Sequence, residues 1–373
     1  MASKTHEPTR VFNKTYRDQN VLEAARERIS WIFDRFERVQ VSVSSGKDSG
    51  VVWHLARTEA VRRGRTIEVF FLDQEAEYQA TVDQMRVMMS AKGVVPRWYQ
   101  VPIYMTNATS YEQDALYAWG PGEQWMREKE PTSIHSIDDE YPQRFYPFFE
   151  WIEKTAPAGT AFLVGLRAEE GIDRFRAVVK HPGVDGVPWT TRTKNPDNFK
   201  CYPIYDWGMG DVWRLTHTEN IPYNRIYDLR WAMGCGVYND NRVSNLIHEM
   251  SFRSLPDLAA LEPETYACLL RRIKGIHCAA QHARGPMLYD ARELPNGFSS
   301  WEVFRDHLLS TMPIDAEKKA RFRKRFDNQP KTDAVHHAQC KQLLISDWEN
   351  NVPVSTSKRR PPTDRFARWR KLF

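Results

Sequence analysis

The amino-acid sequence predicts an α/β fold, a doubly wound and mostly parallel sheet with an appended C-terminal helical region. Three observations carry that expectation. A strand pattern over 39–43 passes through a small-residue loop into a helix and then into a second apolar strand, which makes a βαβ unit. Strand and helix patterns keep alternating as far as Val164, as a parallel sheet requires. Beyond Trp231 only the helical period persists.

Each element follows from its own pattern. Val21, Leu22, Ala25, Ile29, Ile32, Phe33 and Phe36 recur at helical spacing, and Asn20 with Glu23 suits a capping pair. Val39, Val41 and Val43 alternate with polar residues as a half-buried strand does. The loop Ser44-Ser45-Gly46-Lys47-Asp48-Ser49-Gly50 comes next. A helix then runs from Val51 to about Arg63 and stops at Gly64, and Ile67 to Leu72 is a fully buried strand with Asp73 at its carboxyl end. A helix from about Tyr78 to Lys92 ends near Gly93, and Arg97 to Val101 is extended. Residues 104–140, rich in Tyr, Trp, Pro and acid, are expected to form loops and short helices. After a helix around Gln143 to Lys154, the buried strand Ala161 to Val164 leads into Gly165-Leu166-Arg167-Ala168-Glu169-Glu170. Further helices are expected at about 241–253, 262–275, 299–310, 314–327 and 331–350. The implied organisation is an N-terminal helix and arm (1–37), an α/β domain (38–230), a helical region (231–350) and a basic tail (351–373).

At 373 residues, with 41% hydrophobic and 12% aromatic residues, the chain has ample apolar surface for a large core, which excludes a short stapled scaffold. The net charge of +5 is concentrated: residues 358–373 hold seven basic side chains and one acid, a net of +6, so the rest of the chain sums to −1. A neutral body with a cationic end suits either a solvated tail or an anionic partner such as nucleic acid. The five cysteines (Cys201, Cys235, Cys268, Cys278, Cys340) are scattered and contain no C-x-x-C pair, so neither a disulfide framework, a zinc site nor an iron–sulfur cluster is expected. Cys278 with His282, and His336 and His337 with Cys340, lack a compact pairing for metal and suit solvated helix faces better. The charged amino terminus has no apolar run for a signal peptide, and no segment approaches the ~20 apolar residues of a membrane span. A cytoplasmic protein without membrane contact is the expectation.

The chemistry is expected at the first strand-to-helix loop. In an open parallel sheet, ligands bind where carboxyl ends of strands meet helix amino termini, because unpaired N–H groups there face anions. Residues Ser44 to Ser49 combine small residues that let a phosphate approach the backbone, hydroxyl donors and the charge of Lys47. The spacing is neither G-x-x-x-x-G-K-[ST] nor G-x-G-x-x-G, so the common kinase, GTPase and dinucleotide loops are not indicated.

Val41 to Ser49, VSVSSGKDS, resembles the S-G-G-K-D-S signature of the PP-loop ATP pyrophosphatase superfamily, with Ser45 where the first glycine is usual. Gly165-Leu166-Arg167-Ala168-Glu169-Glu170, with Arg174 downstream, is similar to the G-x-R-x-x-E-S segment of phosphoadenosine phosphosulfate reductase-like proteins, with Gly171 in place of the serine. Tyr202-Pro203-Ile204-Tyr205-Asp206-Trp207 and Asp211-Val212-Trp213 resemble their P-I-x-x-W-x-x-x-D-V-W. The three motifs stand in the family's order over about residues 38–230. The resemblance implies an adenine nucleotide alpha hydrolase-like, Rossmann-like fold and an adenine nucleotide ligand. Less sharply, the N-terminal helix, Asp73-Gln74-Glu75 and the tract after Val243 resemble the immunoglobulin-binding regulator A-like subfamily, which implies a ParB-like protein partner.

The candidate nucleotide-binding residues are therefore Ser44, Ser45, Gly46, Lys47, Asp48, Ser49, Asp73, Gly165, Arg167, Glu170 and Arg174. Lys47, Arg167 and Arg174 would neutralise phosphates, Arg167 bidentately. Asp48 and Asp73, with Glu75 nearby, would hold Mg²⁺ through oxygen. Lys47, Arg167 and Asp48 are the candidate catalytic residues, and Trp207 and Tyr78 are either base-stacking or core aromatics.

Three functions remain open at this point. The first is an ATP- and Mg²⁺-dependent enzyme that adenylates a substrate and releases pyrophosphate. The second is a sulfonucleotide reductase, which needs a thiolate; the E-C-G-L-H motif of those enzymes is absent, leaving Cys235 between glycines, or Cys278. The third is an ATP-sensing module that acts with a ParB-like or DNA-bound partner through the tail 358–373.

Overall fold

The computed structural model describes residues 17–110, 112–179, 183–235, 254–282 and 293–350, with positions 243, 245–248, 251 and 354. The expected arm at the amino terminus and the basic tail 358–373 lie outside them, as does most of the helix expected at 241–253.

A six-stranded sheet runs in the order β3-β2-β1-β6-β8-β7. Its strands are β1 (Arg38–Ser42), β2 (Ile67–Leu72), β3 (Val94–Tyr99), β6 (Thr160–Val164), β7 (Thr190–Arg192) and β8 (Phe199–Cys201). All neighbours are parallel except the edge pair β7 and β8. Between β3 and β6 the chain makes an antiparallel hairpin, β4 (Ile103–Thr106) and β5 (Ala115–Ala118), in the stretch expected to be loops and short helices. Its stacked Tyr104 and Tyr117 rings lie 4.3 Å apart.

Helices cover both faces of the sheet, which explains why β2 reads as an apolar run interrupted only by Glu68. Ile67, Val69 and Phe71 enter the core formed with α1 (Val21–Arg35), α2 (Lys47–Arg62) and α6 (Met209–Thr218). Phe70 and Leu72 point the other way, into a core shared with the hairpin, α4 (Phe145–Thr155) and α7 (Ile226–Ala232). On the first face lies α3 (Gln79–Met89) as well, through Val82, Met85 and Met88. Asn20 caps α1 as its position suggests, its side chain accepting from the amides of Leu22 and Glu23. A short α5 (Ile172–Val179) follows β6.

The later helices divide between two cores. Leu255 and Leu258 of α8 (Leu255–Leu261), Leu269 of α9 (Pro263–Arg272) and Ile276 of α10 (Ile276–His282) join Phe70 and Phe162 of the sheet. Glu262 seals this junction by accepting from the amides of Gln79 and Ala80 at 2.6 and 2.9 Å, a carboxylate cap on α3. By contrast α11 (Trp301–Thr311), α12 (Ala316–Asp327) and α13 (Asp333–Leu344) close around their own cluster, including Trp301, Met312, Phe322 and Leu343. Trp348 docks that cluster on the body: the Arg144 guanidinium lies 4.0 Å from its ring centroid, and Lys318 pairs with Asp114. No helix among the described residues is long and apolar enough to cross a membrane. Where a helix was expected at 241–253, the described positions 246–248 are turn and bend: Asn245 Oδ1 accepts from the Ile247 amide, and Leu246 N–H donates to Ala76 of the β2–α3 connection.

The switch point of the sheet lies between β1, whose chain moves on to β2, and β6, where building resumes on the other side. The backbone closes tightly here. A Cβ on Gly165 would sit 2.7 Å from the Ser49 nitrogen and 2.8 Å from the Asp48 carbonyl carbon, so only glycine lets the end of β6 lie against the start of α2. Gly165→Ala is expected to destabilise the fold by about 1–3 kcal/mol, as overpacking does. Urea denaturation measures it, and an unchanged midpoint would contradict the close approach.

Candidate functional site: a phosphate cradle at the switch point

The chain leaves β1 through Val43, whose amide makes a last ladder bond to Phe70, and turns over Ser44, Ser45 and Gly46 into α2. Ser45 has φ +59°, the left-handed region that costs a residue with a Cβ about 1 kcal/mol. Its side chain offsets that cost. The buried hydroxyl accepts from Asn224 Nδ2 at 2.9 Å, while Asn224 also donates to Thr81 Oγ1 and accepts from the amide of Ile226. Ser49 closes the turn, its hydroxyl donating to the Gly46 carbonyl at 3.0 Å and accepting from the Ser44 amide at 3.2 Å. Ser45 and Ser49 therefore fasten the loop, and Ser44 is the serine whose side chain is exposed.

The N–H groups of Asp48 and Ser49 lie in the first turn of α2 and have no intrahelical acceptor, so this end of the helix suits an anion. Around it the structure brings together Lys47, Asp48, Arg167, Glu170 and Arg174. Asp48 sits between the two principal cations, with Oδ2 2.8 Å from Lys47 Nζ and Oδ1 2.5 Å from Arg167 Nε. Arg167, at the end of β6, reaches Glu169 at 3.3 Å and Glu170 at 3.4 Å; Glu170 in turn lies 3.7 Å from Arg174. Glu169 also accepts from the amide of Met209, which fixes the start of α6 to the same cluster. Three cations and three carboxylates thus balance in one connected network, and the Arg167 side chain is only 5% exposed.

Asp73 does not join it. Fully buried, it accepts from Trp98 Nε1 and Gln100 Nε2, both at 2.9 Å, from the Glu75 amide, and from Arg127 in an ion pair. Glu75 is sealed likewise, by Arg272 and by the amides of Trp119 and Met126. The magnesium and nucleotide roles expected of Asp73 are therefore withdrawn: its carboxylate braces the β2–α3 connection. Among the described residues no three His, Cys, Asp or Glu side chains converge as a metal site. Both oxygens of Asp48 hold cations in this structure, and no step is routed through Mg²⁺. Trp207 and Tyr78 are core residues, the indole N–H of Trp207 donating to the Val21 carbonyl.

Sequence reading missed Asn224 and Tyr227. The Tyr227 hydroxyl accepts from the amide of Lys47 at 3.0 Å, about 180 positions away in the chain. An Asn placed two residues before a helix, as in Asn224-Arg225-Ile226, is a local turn signal, but its long-range bond to Ser45 leaves no trace in periodicity. The cysteines are dispersed. Cys201 and Cys340 are buried, and burial pushes both thiols up, Cys340 to about 12; Cys235 and Cys268 are half-buried and Cys278 is exposed.

The family model described as phosphoadenosine phosphosulfate reductase domain matches residues 38–278, more than half of the chain. A second model, a domain of unknown function (DUF3440), matches residues 236–343. An uncharacterized protein of Escherichia coli (strain K12), YbdN, is 29% identical over 310 residues, covering 79% of this chain and 76% of that protein. The adenosine 5'-phosphosulfate reductase of Bacillus mycoides (strain KBAB4) is 22% identical over 236 residues, covering 62% of this chain and 86% of its own. Among solved structures, the phosphoadenylyl-sulfate reductase of Candida auris aligns with 12% identity and a TM-score of 0.31, covering 59% of this chain and 90% of that one.

Two predictions follow from the fastening of the loop and its neighbour. Ser45→Ala keeps the strained backbone and loses the bond to Asn224, whereas Ser45→Gly loses the bond but relieves the strain. The alanine variant should therefore be the less stable of the two by about 1 kcal/mol in chemical denaturation, and equal stabilities would contradict the role given to Ser45. Glu77, buried beside Asp73, has its pKa raised from 4.5 to about 8, first by burial and then by the Asp73 charge, with Arg127 opposing. A carboxyl raised on folding binds its proton more tightly in the native state. Its contribution is thus full below the unfolded pKa and is lost as pH rises through about 8. Stability measured from pH 5 to pH 8 should fall less in Glu77→Gln than in the parent; parallel profiles would contradict the assignment.

Proposed function

The chain belongs to the phosphoadenosine phosphosulfate reductase domain family, and on that premise we propose that it binds ATP at the loop 44–49 and adenylates a substrate, releasing pyrophosphate. One observation carries the reading: Lys47 and Arg167 converge on Asp48 beside the amide end of α2. A polyphosphate can enter such a network by exchanging its oxygens for the carboxylates that hold the two cations, with Arg174 as a further positive group at the rim. The amides of Asp48 and Ser49 and the Ser44 hydroxyl supply neutral donors.

The step is an in-line displacement. An oxygen of the acceptor substrate attacks the α-phosphorus, the bond from that phosphorus to the bridging oxygen breaks, and the electron pair leaves on pyrophosphate. Any proton carried by the attacking oxygen passes to solvent. Lys47 and Arg167 balance the charge that grows on the leaving pyrophosphate, while the rigid loop keeps the donors aimed, so positioning and electrostatics supply the catalysis. No thiol is required by this step.

The test offers the purified chain ATP, and separately phosphoadenosine phosphosulfate with a thiol donor, and separates the products. Pyrophosphate with an adenylated product, or with AMP where water is the acceptor, is expected from ATP; sulfite from the sulfonucleotide would overturn the reading in favour of a reductase. Lys47→Ala should lower the rate of pyrophosphate release about 10²–10³-fold, the size of losing one preorganised charge partner, with an unchanged melting transition. Undiminished release would count against the cradle.

A further inference from the structure

The amide of Lys47 opens the first turn of α2, and the phenolic oxygen of Tyr227 stands 3.0 Å from it as acceptor. That is where an anion bound at the helix terminus would bring one of its own oxygens. Tyr227 is held there firmly. Its residue is 4% exposed, its ring meets Trp213 edge-on at 5.3 Å, and the start of its helix is pinned by Asn224, which also grips Ser45. The hydroxyl lies 3.7 Å from the position a Cβ on Gly46 would occupy, against the turn. Burial first, then the nearby Asp48 and Glu170 charges, push its pKa upward, so it is a neutral hydroxyl at ordinary pH.

We infer that Tyr227 is a specificity-determining residue of the cradle: by filling the acceptor place of the Lys47 amide it disfavours small inorganic anions relative to a nucleotide polyphosphate. The inference rests on the nucleotide-binding reading above. A single phosphoryl group has few donors to draw on, so competition with the phenol for one amide removes a large share of its binding. A polyphosphate spreads its oxygens over the remaining amides, Ser44, Lys47 Nζ and Arg167, and loses proportionally less. Discrimination then comes from an element set against the wrong ligand as well as from contacts to the right one.

Tyr227→Phe keeps the ring against Trp213 and removes the acceptor. Orthophosphate and ATP are titrated by calorimetry into the full chain and the variant. Orthophosphate affinity should rise about threefold to tenfold, the range one hydrogen bond contributes, and the preference for ATP over orthophosphate should shrink accordingly. Unchanged or weaker orthophosphate binding by the folded variant overturns the inference while leaving nucleotide binding intact. Absence of ATP binding to the parent chain is a different result, which overturns the nucleotide reading and this inference with it. A second measurement uses the unaltered chain, so that it does not depend on the variant folding. Hydrogen exchange at the Lys47 amide should be unaffected by excess orthophosphate, and marked new protection there would overturn the inference.

Discussion

The ion pair between Arg167 and Asp48 is the contact on which the site depends. It joins the carboxyl end of β6 to the first turn of α2 across the place where the strand order reverses, with the two side chains 5% and 13% exposed. Such a pair contributes little net stability when intact, because desolvation offsets the attraction. Removing one partner leaves the other to its remaining contacts, Lys47 for Asp48 and Glu169 and Glu170 for Arg167, and so costs less than the about 3–5 kcal/mol of stranding a lone buried charge. Its value here is positional. It holds a guanidinium with several donors beside a helix terminus, and its counter-charges are carboxylates that a phosphate can replace in kind.

Around that pair, the backbone and distant segments share the work of shaping the turn. Gly165 permits the approach of strand to helix, Ser45 accepts a left-handed backbone, and Asn224 and Tyr227 of the α6–α7 region tie down the loop from the other side. The serine at position 45 shows how a local departure from a glycine-based motif is compensated by tertiary structure. The hydroxyl that comes with the Cβ obtains a buried partner which glycine would lack.

Much of this was legible in the sequence. The β1–α2–β2 unit is readable because alternation, small loop residues and an apolar run broken only at Glu68 are distinct signals, and the first two of the ordered motifs point to Lys47, Asp48, Arg167 and Arg174. The hairpin β4–β5 and the strands β7 and β8 were not, because three or four residues such as Phe199-Lys200-Cys201 are too few to display a period. Asp73 was read correctly as the residue ending β2, but position at a strand end does not reveal direction: Trp98 and Gln100 at the end of β3, and Arg127 further on, draw its carboxylate inward. Asn224 and Tyr227 escaped notice for the complementary reason, since their roles exist only through contacts with residues some 180 positions earlier.

The central claim is that the turn from β1 into α2 receives the phosphates of a nucleotide. A crystal structure of the chain with a non-hydrolysable ATP analogue tests it most directly. The account predicts phosphate oxygens within hydrogen-bond distance of the Asp48 and Ser49 amides, with Lys47 and Arg167 turned from their carboxylates toward them. A nucleotide bound in any other cleft, with the Lys47–Asp48–Arg167 network undisturbed, would contradict it.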